Sequence, residues 1–178
     1  MRNLGAGCLR LFQVGCLLSL GILIAGVTSV TALLNHYAEG LPDVAKLRYF
    51  EPSETSRIYS ADGKWIATLF KENRTFTPYE EISPYLIKAI LAVEDSRFYQ
   101  HRGVDPIGVL RAAIYDLTHR GAHQGASTIT MQLARNVFLS AKQTLERKIK
   151  EILLASQIEK KFTKDEILEL YLNQIYFG

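Results

Sequence analysis

An uncharged run of about 21 residues, from position 14 to position 34, constrains this chain more than any other feature. It consists mostly of Leu, Ile, Val, Ala and Gly, and a helix of that length crosses the roughly 30 Å of hydrocarbon in a bilayer. We therefore predict a transmembrane anchor at 14–34, preceded by a short cytoplasmic tail at 1–13. A cleaved signal peptide is the alternative, but the apolar run exceeds the usual length of about 7–15 residues.

Charged residues on either side of this run predict its orientation. Arg2 and Arg10 precede it without any acidic residue, whereas Glu39 and Asp43 follow it. Because positive flanks stay on the cytoplasmic side, we expect everything after about residue 36 to lie on the outer side. Both cysteines lie in the first sixteen residues, which excludes a disulfide framework in the outer part. The net charge of +3 gives no reason to expect a nucleic-acid partner.

The outer part is predicted to be a mainly α fold with a minor β element. Residues 35–80 are expected to form a stalk and a small β-hairpin, because segments 56–60 and 65–70 favour strands and flank Asp62-Gly63, a strong hairpin signal. Residues 81–178 are nearly all helical in pattern, with short connections, and predict one helical lobe. The segment 118–125 is predicted to be a loop, with His119 and His123 as loop residues and not metal ligands.

Capping patterns predict where five helices of the lobe begin. Ser83-Pro84 and Asp105-Pro106 each place a capping residue before a proline at the first helical position. Ser127 is expected to cap a third helix, and capping-box patterns at 140–143 and 163–166 predict a fourth and a fifth. Apolar residues at helical spacing predict an apolar face on the first helix, continue the second helix and predict the buried stripe of the fourth. These residues are Leu86, Ile87, Ile90, Leu91 and Val93; Ile107, Val109, Leu110, Ile114 and Leu117; and Leu145, Ile149, Ile152 and Leu153.

Three clusters of polar residues are candidates for chemistry. Glu94 and Asp95 end the first helix just before a turn, where a carboxylate can serve as a general acid or base, although this stretch alone favours a solvated helix end. On the fourth helix, Arg147, Lys148 and Glu151 share a face. That face is either a solvated set of salt bridges or a clamp for a diphosphate, with Glu151 as a second functional carboxylate.

The third cluster lies at 125–136, where small and hydroxyl residues begin a helix. Free backbone N–H groups and hydroxyls at a helix start can bind an anion, and Gln132 and Arg135, three apart, would point the same way. An ordinary capped helix is the alternative interpretation.

Four ordered motifs resemble those of the peptidoglycan glycosyltransferases, in the form found in the N-terminal part of class A penicillin-binding proteins. They are Glu-Asp-x-x-Phe-x-x-His-x-Gly at 94–103, Gly-Ala-Ser-Thr-Ile-Thr-Met-Gln-Leu at 125–133, Arg-Lys-x-x-Glu at 147–151 and Ile-Leu-Glu-Leu-Tyr-Leu-Asn at 167–173. The resemblance covers about residues 41–178. It implies a lysozyme-like helical lobe beside a small membrane-proximal jaw, and an enzyme that polymerises lipid II into β-1,4-linked glycan with inversion and release of undecaprenyl diphosphate.

The resemblance also implies roles for single residues. Glu94 would take the proton from the 4-hydroxyl of the acceptor sugar. Glu151 would assist at the diphosphate, directly or through a divalent cation such as Mg²⁺ or Mn²⁺, and Arg147 and Lys148 would neutralise the leaving group. Further residues implied to bind the substrate or support the cleft are Asp95, Phe98, His101, Arg111, Ser127, Thr130, Gln132 and Arg135.

The fourth motif and two departures from the family pattern complete these expectations. Glu169 and Asn173 are expected to be structural. Met131 stands where a Gln is common, and Gln143 stands near a usual Arg, which puts donor affinity in question. The implied partners are lipid II, the growing glycan strand, the bacterial inner membrane and other cell-wall synthesis proteins.

Two other functions are compatible with the residues. A lysozyme-like enzyme that cleaves glycan would also use paired carboxylates, but a neutral polysaccharide offers no diphosphate for an Arg-Lys pair to bind. A non-catalytic module that binds lipid II or partner proteins is the second alternative. The sequence reaches residue 178 without the family's fifth motif or a transpeptidase domain, so we expect a fragment of a longer protein, with an incomplete lobe that can be inactive by itself.

Overall fold

The chain forms two compact units, Met1–Leu41 and Pro42–Gly178. A computed structural model describes residues 3–49, 56–69, 75–119, 125–140 and 142–175. The first unit is one helix of 36 residues, α1 (Asn3–Ala38). Within α1, Gly15–Ala38 is long and apolar enough to cross a membrane. The predicted span at 14–34 therefore lies inside a helix that continues past it at both ends.

The second unit is mainly helical, as predicted, with one small sheet among its described residues. Its strands are β1 (Ser56–Tyr59) and β2 (Trp65–Leu69), and its α-helices are α2 (Pro84–Glu94), α3 (Pro106–Thr118), α4 (Ile129–Phe138), α5 (Leu145–Lys161) and α6 (Lys164–Gln174). Three short 3₁₀ helices cover Val44–Tyr49, Tyr79–Glu81 and Phe98–Gln100.

The predicted hairpin is confirmed. β1 and β2 pair antiparallel, with Ser56 opposite Leu69 and an irregularity in the register after Ile58. The turn bond from the Gly63 N–H to the Ser60 carbonyl measures 2.9 Å, and Gly63 takes the left-handed φ of 80° that this turn requires. The predicted end of the second strand at Phe70 falls outside the described residues.

The core of the second unit forms where α4, α5 and α6 pack together. Its fully buried side chains include Ile129, Leu133, Leu154, Ile158, Ile167, Leu168 and Tyr171. The 3₁₀ helix Val44–Tyr49 packs against α5 and buries Val44 and Leu47 completely. These two residues are three apart and so share one side of a 3₁₀ helix, which places part of the predicted stalk in the core.

The apolar residues of α2 and α3 lie mostly outside the core. No residue of α2 is buried, and in α3 only Ala112 is buried among the described residues. Val93 is 80% exposed and Leu117 is 84% exposed. Both helices form where the sequence predicts them. Their apolar side chains stay largely exposed because α2 and α3 take little part in the core that α4, α5 and α6 form.

The predicted buried stripe of α5 is wrong. Leu145 is 85% exposed, whereas Glu151, Leu154, Ala155 and Ile158 are buried. Positions 151, 154, 155 and 158 follow the i, i+3, i+4, i+7 pattern, so these four residues form one face of the helix. A search for apolar residues at helical spacing misses this face because one of its buried residues is the carboxylate Glu151.

Of the five predicted helix starts, those at Ser83-Pro84, Asp105-Pro106 and Thr163 are confirmed and two are misplaced. The cap of α4 is Thr128, whose hydroxyl accepts from the Met131 N–H at 3.2 Å, and not Ser127. The fourth predicted helix starts later than the pattern at 140–143, at the cap Thr144. The capping box of Thr163 and Glu166 at the start of α6 is confirmed. Ser127 lies outside the helix because its hydroxyl bonds elsewhere, as described below.

Gly103 packs directly against the backbone of α5. It has a φ of 86°, and a Cβ built on it would lie 2.9 Å from the carbonyl carbon and oxygen of Ala155. We expect Gly103→Ala to lower the free energy of unfolding by about 3 kcal/mol, the sum of a left-handed alanine and an overpacked contact. Denaturant unfolding measures this loss.

Gly63 provides a matched control for this substitution. Its φ is 80°, but nothing lies within 4 Å of the position that an alanine methyl group would take there. Gly63→Ala should therefore cost only the backbone strain, about 1–2 kcal/mol. Equal losses for the two variants would show that the contact with α5 is not tight.

Candidate active site

The adjacent carboxylates at the end of α2 have different surroundings. Glu94 is exposed and lines a cavity of about 180 Å³. Asp95 is buried, and its two oxygens lie 3.0 and 2.9 Å from Nε2 of His101. Asp95 also accepts a hydrogen bond from the Ile129 N–H at 3.2 Å, which ties the end of α2 to the start of α4. Asp95 and His101 therefore fix the position of Glu94 and have little surface for a substrate.

The same cavity is bounded by Arg111, Ser127 and Asp105. Asp105 caps α3 by accepting from the Ile107 N–H, and its carboxylate lies 3.3 Å from Nε of Arg97 and 4.0 Å from Arg111. The Arg111 side chain is more than half exposed, so it carries a positive charge at the rim of the cavity that contains Glu94.

Glu94 is linked to α6 through Gln132. The side-chain amide of Gln132 donates to Glu94 at 2.8 Å, and the Tyr171 hydroxyl donates to the Gln132 carbonyl oxygen at 3.3 Å. Burial, assisted by the negative charge of Glu94, raises the pKa of Tyr171 to about 12. The tyrosine hydroxyl therefore keeps its proton at neutral pH.

The motif on α5 forms a buried ion cluster. Nη1 of Arg147 lies 2.8 Å from one oxygen of Glu151, and Nζ of Lys148 lies 3.2 Å from the other. The Glu151 side chain is 1% exposed. Lys148 also donates to the Ser127 hydroxyl at 2.6 Å, which explains why Ser127 does not cap α4. The solvated-face interpretation of this motif is therefore wrong for Glu151.

A second cavity, of about 380 Å³, lies beside this cluster. It is lined by Arg135, Asn136, Leu139, Ser140, Gln143 and Arg147. Two guanidinium groups in one cavity favour an anionic ligand, because arginine binds phosphate oxygens in a bidentate manner. Gln143, one of the two departures from the family pattern, lies in this cavity and reduces its positive charge by one relative to an arginine.

The surroundings of Glu151 do not fit a divalent cation. Both of its oxygens already face cationic side chains, and Mg²⁺ needs oxygen ligands and retained waters in an octahedral arrangement. Within the part of the chain that is described, no group of three His, Cys, Asp or Glu residues could hold a metal ion. The expected Mg²⁺ or Mn²⁺ therefore has no support from this site.

Two residues predicted to bind the substrate lie behind the cavity walls. Thr130 has no exposed surface, and its hydroxyl donates to Glu159 at 2.6 Å. Phe98 is buried, and Nζ of Lys164 lies 4.2 Å from the centre of its ring. Lys164 also bonds Glu159 at 2.7 Å, so one network joins the first motif to α4, α5 and α6. In this structure Thr130 and Phe98 position the site and do not line it.

The fourth motif holds the segment before α2 in place. Asn173 accepts from the Thr77 N–H at 2.8 Å and donates to the Thr77 carbonyl at 2.9 Å. Glu169 accepts from the Tyr79 N–H at 2.7 Å. These contacts are structural, as expected for both residues. Tyr171 in the same motif was not among the predicted site residues. Its hydroxyl on an otherwise apolar, buried helix face is the sequence feature that could have indicated a role in the site.

The predicted loop histidines do not take part in this site. His119 ends α3 and stacks on Tyr115 with ring centres 4.1 Å apart. His123 lies outside the described residues.

Comparison with known proteins identifies the class to which this fold and these clusters belong. A match to the transglycosylase family covers residues 62–178, and the chain belongs to that family. It is similar to penicillin-binding protein 1A of Escherichia coli, with 50% identity over 162 residues, which cover 91% of this chain and 19% of that protein. Penicillin-binding protein 1A of Vibrio cholerae is 48% identical over 160 residues, covering 90% of this chain and 19% of that protein.

A more distant relative gives the same result. Penicillin-binding protein 1A of Aquifex aeolicus is 43% identical over 159 residues, covering 89% of this chain and 22% of that protein. The chain thus spans about a fifth of the length of the curated relatives it matches.

Proposed function

We propose that this chain is the glycosyltransferase part of a peptidoglycan synthase that polymerises lipid II into β-1,4-linked glycan. The observation that carries the proposal is the position of Lys148. Its ammonium group bonds Ser127, which lines the cavity of Glu94, and Glu151, whose other oxygen contacts Arg147 in the second cavity. A proton acceptor and a site for an anionic leaving group therefore lie on either side of one cation.

In this mechanism Glu94 takes the proton from the 4-hydroxyl of the acceptor sugar. The hydroxyl oxygen forms a bond to the anomeric carbon of the growing strand while the bond from that carbon to the diphosphate oxygen breaks. The electron pair of the broken bond stays on undecaprenyl diphosphate, where Arg147 and Lys148, together with Arg135, stabilise the charge. A single displacement inverts the anomeric configuration.

The proposal distinguishes this enzyme from a hydrolase. Hydrolysis of a neutral glycan needs two carboxylates at the scissile bond, but Glu151 is buried between Arg147 and Lys148 and has no surface to face a sugar. In an assay with purified protein in detergent, lipid II should be converted to glycan polymer, and isolated cell wall should release no sugars. Sugar release without polymerisation would support the hydrolase, and binding of lipid II without either reaction would support a non-catalytic module.

We further propose that α1 anchors the chain in the bacterial inner membrane, with the N-terminus in the cytoplasm and the helical lobe on the outer side. Arg10 and Glu39 on opposite sides of the apolar span support this orientation. Lipid II, whose polyprenyl tail lies in the bilayer, would reach an anchored enzyme by diffusion in the membrane. An enzymatic reporter that is active only in the periplasm, fused after residue 49, tests the orientation, and an inactive reporter would contradict it.

A further inference from the structure

A buried hydroxyl on α6 lies two hydrogen bonds away from the proposed base. Tyr171 is fully buried, and its hydroxyl donates to the Gln132 side-chain oxygen at 3.3 Å. The amide nitrogen of Gln132 then donates to Glu94 at 2.8 Å. Three helices, α6, α4 and α2, each contribute one member of this series.

The direction of both hydrogen bonds follows from the donor and acceptor inventory. A glutamine amide offers an accepting oxygen at one end and a donating NH₂ group at the other, and an ionised carboxylate can only accept. If Glu94 is the base, the NH₂ group of Gln132 must face it, and the Gln132 oxygen must then face Tyr171. That oxygen needs a donor, and the protonated hydroxyl of Tyr171 supplies one.

Without this hydroxyl, only the Glu94 carboxylate would distinguish the two ends of the Gln132 amide, and the preference for one orientation would be weaker. A half-turn of the amide exchanges its oxygen and nitrogen with almost no change in shape. In the turned state the Gln132 oxygen would face the Glu94 carboxylate, two acceptors would oppose each other, and Glu94 would leave its position.

We propose that Tyr171 is a positioning residue that acts through Gln132 to hold one oxygen of Glu94, so that the other oxygen faces the cavity and receives the proton. This inference rests on the proposed function, because it assumes that Glu94 is the base. It also gives Gln132 a different role: the sequence predicted a substrate contact, whereas here Gln132 links Tyr171 to Glu94.

A double-mutant cycle in the natural full-length protein tests the proposal. Tyr171→Phe removes only the hydroxyl and should lower kcat for lipid II polymerisation by about 3- to 10-fold, with KM changed less than about 2-fold. Gln132→Met should lower kcat at least as much. The double variant should be no slower than Gln132→Met alone, because Tyr171 acts only through Gln132.

Tyr99→Phe is the matched control. The Tyr99 hydroxyl also bonds α6, donating to Asp165 at 3.2 Å, but it has no contact with Gln132 or Glu94. This variant should keep wild-type kcat, and both tyrosine variants should keep a melting temperature within a few degrees of the wild type.

Multiplicative effects of Tyr171→Phe and Gln132→Met on kcat would overturn the proposal, as would an unchanged kcat in Tyr171→Phe. Failure of the proposed function gives a different result. In that case the unsubstituted protein would not polymerise lipid II, or Glu94→Gln would be as active as the wild type.

Discussion

Replacing Glu94 by glutamine is expected to lower the rate of lipid II polymerisation by about 10²- to 10⁴-fold, the usual contribution of a general base. The substitution keeps the size of the side chain, which lies at the exposed end of α2, so the fold should not change. It removes the group that we propose as the acceptor of the proton from the attacking hydroxyl. Because the cationic cluster on α5 is untouched, KM for lipid II should change little, and the loss should appear in kcat.

Single-turnover polymerisation of labelled lipid II measures this loss. Glu81→Gln is the matched control, because Glu81 is another exposed carboxylate, at the end of the short 3₁₀ helix before α2, and does not line the cavity. The control should retain full activity. Activity of Glu94→Gln within about 10-fold of the wild type would remove Glu94 from the role of base.

Replacing Arg147 by methionine is expected to lower the free energy of unfolding by about 3 kcal/mol, because it leaves the buried Glu151 carboxylate with only Lys148 as a partner. Lys150→Met is the control on the same helix. Lys150 pairs with Glu146 at the same spacing of four residues and at 2.6 Å, but this pair is solvent-accessible. Its loss should cost no more than about 0.5 kcal/mol.

The double variant Arg147→Met/Glu151→Leu separates stability from function. Removing both charges relieves the unpaired carboxylate, so most of the stability lost in Arg147→Met should return. Polymerisation should stay at least 10²-fold below the wild type, since the proposed site for the diphosphate has lost one of its two guanidinium groups. Chemical denaturation and the polymerisation assay measure the two effects. Recovery of activity together with stability would show that Arg147 serves only the fold.

Features that depend on neighbouring residues were predictable from the sequence. The Asp62-Gly63 turn and the capping box of Thr163 and Glu166 are each decided within about four residues, so their patterns hold wherever the segment packs. The helix that ends at Glu94 was predictable for the same reason. The resemblance of the four motifs then identified the family.

Features that depend on packing between distant segments were not predictable. Glu151 lies on the buried face of α5 because Arg147 and Lys148 compensate its charge. The apolar pattern instead predicted that Leu145 would be buried, and Leu145 is exposed. Thr130 resembles a substrate residue by its motif, but its partner is Glu159, 29 positions away. The contact of Tyr171 with Gln132 spans 39 positions and leaves no periodic signal.

The 3₁₀ helix Val44–Tyr49 has a mechanical consequence. It follows directly on the boundary at Leu41, and it is fastened to the second unit by the burial of Val44 and Leu47 and by an ion pair of 2.9 Å between Asp43 and Lys161. Lys161 is the last residue of α5, the helix that carries Glu151. A load applied to the chain at residue 42 is therefore transmitted to α5, the helix that carries Arg147, Lys148 and Glu151.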